Sequence, residues 1–272
     1  MSRWLRWARR TDDARATLFC FHHAGSGASC FQPWVRVTPP SLNLAFVQLP
    51  GRENHIRVPP HRRMQPIVNA LLAEMRDALT APYAFFGHSL GARVSFSLAH
   101  RLTAEGLPAP QVLLLSGTPG PAVHGWKHVH HLPDEELVRQ MEELGGVSDV
   151  VLRTPGLLSR FLPCIRADLE VAETCSLAYD TSLDCPVHAF AGADDRLVTP
   201  DMVRAWSTVT TGTFDFHLFP GGHFFIQTSQ RQVVDRVLTA LGPLLSPTAL
   251  VGPAATQEVH IPTAEFPRRK SG

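Results

Sequence analysis

A chain of 272 residues with 44% apolar and 18% charged residues has the make-up of a globular protein with a sizeable core, as one large α/β domain or two small ones. A formal net charge of +1 gives no general attraction to nucleic acid or anionic membrane, and no stretch approaches the roughly 18–20 apolar residues of a membrane span. Cys20, Cys30, Cys164, Cys175 and Cys185 are widely spaced with no CxxC pair, which excludes a disulfide scaffold and fits reduced thiols in a cytoplasmic protein.

In chain order, MSRWLRWARR is basic, carries two tryptophans and lacks the apolar centre and cleavage pattern of a secretory signal. Residues 1–15 are expected to form a flexible basic leader. Apolar, β-prone runs then recur at 16–21, 44–49, 83–86, 112–115, 187–190 and 214–219. Several are nearly continuous rather than alternating, as expected of strands buried on both faces of a parallel sheet. Helical patterns lie between them at 66–79, 92–102 and 229–241, the first placing Ile67, Leu71, Met75 and Leu79 on one face. This alternation predicts a mostly parallel, doubly wound α/β sheet over residues 16–245.

One interval breaks the rhythm. Some seventy residues separate the strands ending near 116 and beginning near 186, far more than a crossover needs. Amphipathic helices are expected at 134–144, ended by Gly145-Gly146, and within 155–178. The interval reads as an inserted helical lid over about 120–180, in which Leu137, Met141, Leu144, Leu157, Leu158 and Phe161 pack the lid or line a pocket. Residues 246–272 lose all apolar periodicity and read as a disordered tail.

Gly87-His88-Ser89-Leu90-Gly91 fits G-x-S-x-G between a predicted strand and a predicted helix. A nucleophile on so tight a turn needs glycines where side chains would strike neighbouring backbone. The turn lifts the serine hydroxyl clear of the sheet and puts the Leu90 N–H at a helix N-terminus, where it can bind an oxyanion. Serine needs a base, and in this arrangement a carboxylate and then a histidine follow, each after a later strand. The loops after 187–190 and 214–219 supply Asp194-Asp195 and Gly221-Gly222-His223. The candidate set is therefore Ser89 as nucleophile, His223 as base and Asp195 as its orienting carboxylate, with Asp194 assigned to the local turn. His88 is expected to support the site rather than to act as base.

The second oxyanion donor belongs to the loop after the first strand, Phe21-His22-His23-Ala24-Gly25-Ser26-Gly27. The Ala24 N–H is the choice and His23 the alternative. This loop mimics part of a dinucleotide fingerprint, but the final glycine and any P-loop lysine are missing. The histidines at 128, 130 and 131 have no carboxylate or cysteine at ligand spacing. No metal and no cofactor are expected.

FCFHHAGSGAS, QLPGRE (Gln48–Glu53), FFGHSLGA, PCIRADLEVAE (Pro163–Glu173), GADDRLV and FPGGHFF together resemble the type II thioesterases, stand-alone α/β-hydrolases of polyketide and non-ribosomal peptide biosynthesis. The resemblance runs from about residue 17 to 245. It implies an α/β-hydrolase fold, no cofactor, and hydrolysis of acyl or peptidyl thioesters on the phosphopantetheine arm of carrier proteins. It implies the same Ser89, Asp195, His223, Ala24 and Leu90, acting through an acyl-enzyme, and a lid over a channel for the arm. Cys175 and Leu169 stand where the family often has aromatic residues, which leaves the shape of the acyl pocket open. A monomer is expected, with neither nucleic acid nor membrane as partner. Arg52, Arg57, Arg62 and Arg63 are candidates for meeting an acidic carrier helix. The competing readings are a small-molecule carboxylesterase or acyltransferase with the same triad, and a non-catalytic module that binds carrier proteins.

Overall fold

The computed structural model describes residues 4–80, 82–145, 154, 156–177 and 182–246. The tail expected over 246–272 lies, apart from Ser246, outside the described residues.

Seven strands form one sheet: β1 (Leu5–Arg9), β2 (Ala16–Phe21), β3 (Leu42–Val47), β4 (Tyr83–His88), β5 (Leu113–Ser116), β6 (Val187–Gly192) and β7 (Phe214–Phe219). The order is β1-β3-β2-β4-β5-β6-β7, and every pairing but β1 with β3 is parallel. The continuous apolar runs have a simple cause. Successive side chains alternate between the two faces of a strand, and here both faces are covered. Phe19, Phe21, Phe85, Leu113 and Leu115 join one core; Leu18, Cys20, Phe86, Leu114 and Phe190 join the other.

The first core is closed by α1 (Met64–Met75) and α2 (Leu90–Ala104), the second largely by a 3₁₀ helix at Ala28–Arg36 and by the helix Gln230–Ala240. Between β5 and β6 lie α3 (Asp134–Glu143) and α4 (Leu157–Thr174). They share a small core of Val129, Leu137, Met141, Leu162 and Ile165, against which Leu158, Phe161 and Leu169 pack. The expected lid interval thus contributes two helices in its described part, after a non-helical stretch at 120–133, and this small core holds them together.

The expected leader is corrected by the structure. Its residues Leu5–Arg9 form β1, antiparallel to β3 at the sheet edge. Trp4 and Leu5 are buried, and Trp7 packs edge-on against Phe19 at 6.1 Å. The basic residues that suggested a solvated leader have distant partners instead. Arg9 donates to the carbonyls of Val35 (2.6 Å) and Pro39 (2.7 Å), Arg6 pairs with Glu53 at 2.6 Å, and the Arg10 guanidinium lies 4.7 Å from the Trp7 ring centre.

Candidate active site

β4 runs straight into α2, and Ser89 is the joint. Its backbone has φ 54° and ψ −117°, a conformation that L-residues rarely adopt and that is kept only where surrounding structure enforces it. The enforcement is visible. Ser89 N–H donates to the Ser116 carbonyl at 2.7 Å, and the two glycines let three backbones meet. A Cβ on Gly87 would lie 2.3 Å from the Gly91 carbonyl oxygen, and one on Gly91 would lie 2.1 Å from that of Phe21. Leu90 is the first residue of α2, so its N–H has no acceptor within the helix.

The carboxylate and histidine come from the loops after β6 and β7, neighbours in the sheet. Asp195 Oδ2 lies 2.7 Å from His223 Nδ1, and both side chains are buried. The other oxygen, Oδ1, accepts the N–H groups of Leu197 (2.9 Å) and Val198 (3.0 Å). Three bonds therefore fix the carboxylate, and with it the imidazole orientation. Asp194 is exposed and closes the turn through its backbone, donating its N–H to the Gly221 carbonyl at 2.9 Å. Among the described residues no hydrogen bond joins Ser89 to His223; such bonds are commonly long before substrate is bound.

Around this pair sit neutral imidazoles. His88 Nδ1 meets Ser116 Oγ at 2.9 Å, and its ring centre lies 5.2 Å from that of His223. Burial, and next the neighbouring His223 and His23, hold His88 well below the usual histidine range. Burial likewise lowers His22 and His23 to about 3. His88 thus stays uncharged beside His223.

The loop after β2 is tied down from α4. Asp168 of α4 accepts Gly25 N–H at 2.8 Å with Oδ2 and takes a two-pronged ion pair from Arg52, with contacts of 2.7 and 2.8 Å. Arg52 also donates to the carbonyls of Pro50 (3.0 Å) and Ser26 (3.1 Å). Burial pulls the Arg52 guanidinium down, but Asp168's charge and hydrogen bonds outweigh it and leave it above its ordinary value. Gln48 Oε1 accepts Ala28 N–H at 2.8 Å, and Glu53 Oε1 accepts Ser29 N–H at 3.0 Å. QLPGRE and the Arg166-Ala167-Asp168 stretch are therefore two halves of one clamp on the loop. Gly25 N–H is held by Asp168 and Ser26 N–H by the His23 carbonyl at 3.2 Å, directly after Ala24 in the chain.

The same clamp removes Arg52 from the surface set suggested for docking. Arg62 and Arg63 both engage Glu170 of α4, and Arg57 is exposed. A cavity of about 220 Å³ opens beside His223, lined also by Gly222, Leu197, Lys127, Val129 and Leu144. Of the six lid side chains singled out in the sequence, Leu144 reaches it. A second cavity, of about 230 Å³, is lined by Arg93, Trp126, His128 and Cys175. Sequence reading passed over Arg93, one of two arginines on α2. Among the described residues no cluster suited to holding a metal ion is found, and no described helix is long and apolar enough to cross a membrane.

Residues 16–242 match the thioesterase domain family. The chain is 33% identical over 248 residues to the gramicidin S biosynthesis protein GrsT of Aneurinibacillus migulanus, covering 91% of this chain and 97% of that protein. It is 32% identical over 269 residues to thioesterase PikA5 of Streptomyces venezuelae, covering 93% of each. Among solved structures it resembles the type II thioesterase BorB from the borrelidin biosynthetic cluster, with a TM-score of 0.80 and 34% identity over 88% of this chain and 97% of that one.

Proposed function

From the premise that this chain belongs to the thioesterase family, with type II thioesterases of polyketide and non-ribosomal peptide pathways as its relatives, we propose that it is a cytoplasmic editing enzyme. It frees acyl or peptidyl groups from the phosphopantetheine arm of carrier proteins through Ser89, His223 and Asp195. The observation that carries this reading is the buried 2.7 Å Asp195–His223 pair on the loops after β6 and β7, with a strained Ser89 between β4 and α2 of the same parallel sheet.

The chemistry follows from the groups present. His223, its Nδ1–H held by Asp195, offers Nε2 to the Ser89 hydroxyl and takes its proton as the oxygen attacks the thioester carbonyl. The carbonyl oxygen becomes negative and meets the N–H groups of Leu90 and Ala24, donors already set before the charge appears. The C–S bond breaks, the arm leaves as a thiol with the proton from His223, and an acyl ester remains on Ser89. Water then gives a proton to His223 and attacks that ester by the same path in reverse. Sulfur is a good leaving group, so serine attack and oxyanion binding are the demanding parts. Neutral His88 and His23 help here, because they place no second positive charge beside the imidazolium that forms on His223.

Intact mass spectrometry of acylated carrier proteins tests the reading. Native protein strips the acyl group; Ser89→Ala does not, and Asp195→Asn is slower by about 10³–10⁴-fold. A fluorophosphonate labels the native chain at Ser89. Equal labelling of Ser89→Ala, or faster hydrolysis of a matched oxygen ester than of the thioester, would reject the proposal.

A further inference from the structure

Two arginines are buried near the site, and their surroundings differ in kind. Arg52 faces the Asp168 carboxylate with two short charged bonds. Arg93, 6% exposed, forms no ion pair with a carboxylate among the described residues. Its donors reach Cys175 Sγ (3.3 Å), the Pro119 carbonyl (3.3 Å), Thr118 Oγ1 (3.4 Å) and the Cys175 carbonyl (3.5 Å). All are neutral acceptors at the long end of hydrogen bonding, where a carboxylate would sit at roughly 2.7–2.9 Å. The guanidinium is also held 5.4 Å from the centre of the Trp126 ring. A buried cation normally carries its counter-ion with it. Here the guanidinium borders the second cavity instead, with His124 and His128 on the same wall. Glu173, also on that wall, is already engaged: its oxygens accept the N–H groups of Val129 (2.9 Å) and His130 (3.0 Å), and Oε2 meets the His130 ring.

The position matters as much as the charge. Arg93 lies in the first turn of α2, the helix that begins directly after Ser89. Thr118 and Pro119, which it contacts, follow Ser116, the residue that holds the elbow, by two and three positions. Resting on the thioesterase reading above, we infer that Arg93 is a specificity-determining residue that binds a carboxylate carried by the acyl group, a few methylenes from the reacting carbonyl. Trp126 and Cys175 orient its guanidinium for two-pronged recognition. The phosphate of the arm offers similar oxygens, but it lies at the far end of a long chain from the thioester. A guanidinium in the first turn of the helix that Ser89 opens is placed for the acyl side. Cys175 lines the same cavity beside the guanidinium.

The test uses thioesters of N-acetylcysteamine, which carry no phosphate: glutaryl against pentanoyl, and adipyl against hexanoyl. In the native protein the carboxylate member of a pair has the higher kcat/KM, by roughly tenfold or more. Arg93→Met, which keeps the apolar stem, brings that ratio to about one, and Arg93→Lys retains part of it. Separately, glutarate raises the melting temperature of native protein and not that of Arg93→Met, a measurement independent of turnover. A native ratio near or below one, a ratio unchanged in Arg93→Met, or an effect of Arg93→Met confined to phosphopantetheine against pantetheine thioesters overturns the inference. Hydrolysis of the pentanoyl thioester by native protein reports on the thioesterase reading alone, so the two can fail separately.

Discussion

Replacing Asp168 by asparagine keeps the shape of the side chain and removes its charge. The native carboxylate accepts two guanidinium contacts at 2.7 and 2.8 Å and the Gly25 N–H at 2.8 Å, with Arg52 and Asp168 side chains 5% and 3% exposed. Asparagine can still accept from Gly25, but its NH₂ then faces a guanidinium that also only donates. The Arg52 charge is left buried without a partner, which costs about 3–5 kcal/mol. At about 2–4 °C per kcal/mol for a domain of this size, the melting temperature falls by roughly 10 °C. Arg52→Met strands the carboxylate in the same way and costs a similar amount. The double variant leaves no buried charge unpaired, so it recovers much of the loss, and its cost is well below the sum of the singles. Urea unfolding of the four proteins gives the coupling energy directly. Costs that simply add, or an Asp168→Asn cost below about 1 kcal/mol, would refute the account of the pair as a mutually dependent clamp.

Acid should weaken the fold earlier than carboxylate titration alone would suggest. His22 and His23 are held near 3 by burial, and His88 well below 6.5, so the unfolded chain takes up protons that the folded one refuses. Their contribution is complete above pH 6.5 and is lost as pH falls toward 3, by about 1.4 kcal/mol per unit for each group. Urea midpoints at pH 7, 6 and 5 measure this, and His23→Gln should flatten the slope by one group's share; an equal slope in the variant contradicts it. Gly91→Ala would put a methyl 2.1 Å from the Phe21 carbonyl oxygen and 2.7 Å from that of His22. The expected loss is about 3 kcal/mol or more, seen as insoluble or early-melting protein; a melting point like the parent's would mean the elbow backbone can yield.

What was legible in the sequence follows the range of the interactions. Strands buried on both faces announce themselves as continuous apolar runs, and the elbow's glycines mark a close approach only two residues from Ser89. The choice of Asp195 over Asp194 rested on loop spacing, and the structure places Asp195 Oδ2 on His223 Nδ1. The N-terminal strand was misread because its evidence is remote: Leu5 pairs with Val47, and Arg9 is satisfied by carbonyls at 35 and 39. The Arg52–Asp168 pair spans 116 residues, so QLPGRE could be quoted as a family mark without its purpose being visible. Arg93 failed for another reason. A charged residue on a buried helix is informative only when its missing partner can be seen, and that requires coordinates.

The stretch from Trp126 to Val129 has a consequence for altering this protein. Lys127 and Val129 line the cavity beside His223, while Trp126 and His128 line the one at Arg93. One short loop is thus a party wall, with alternate side chains lining alternate cavities. Resizing the odd positions alters the cavity beside His223 and resizing the even ones the cavity at Arg93, so the two can be tuned separately from one strip.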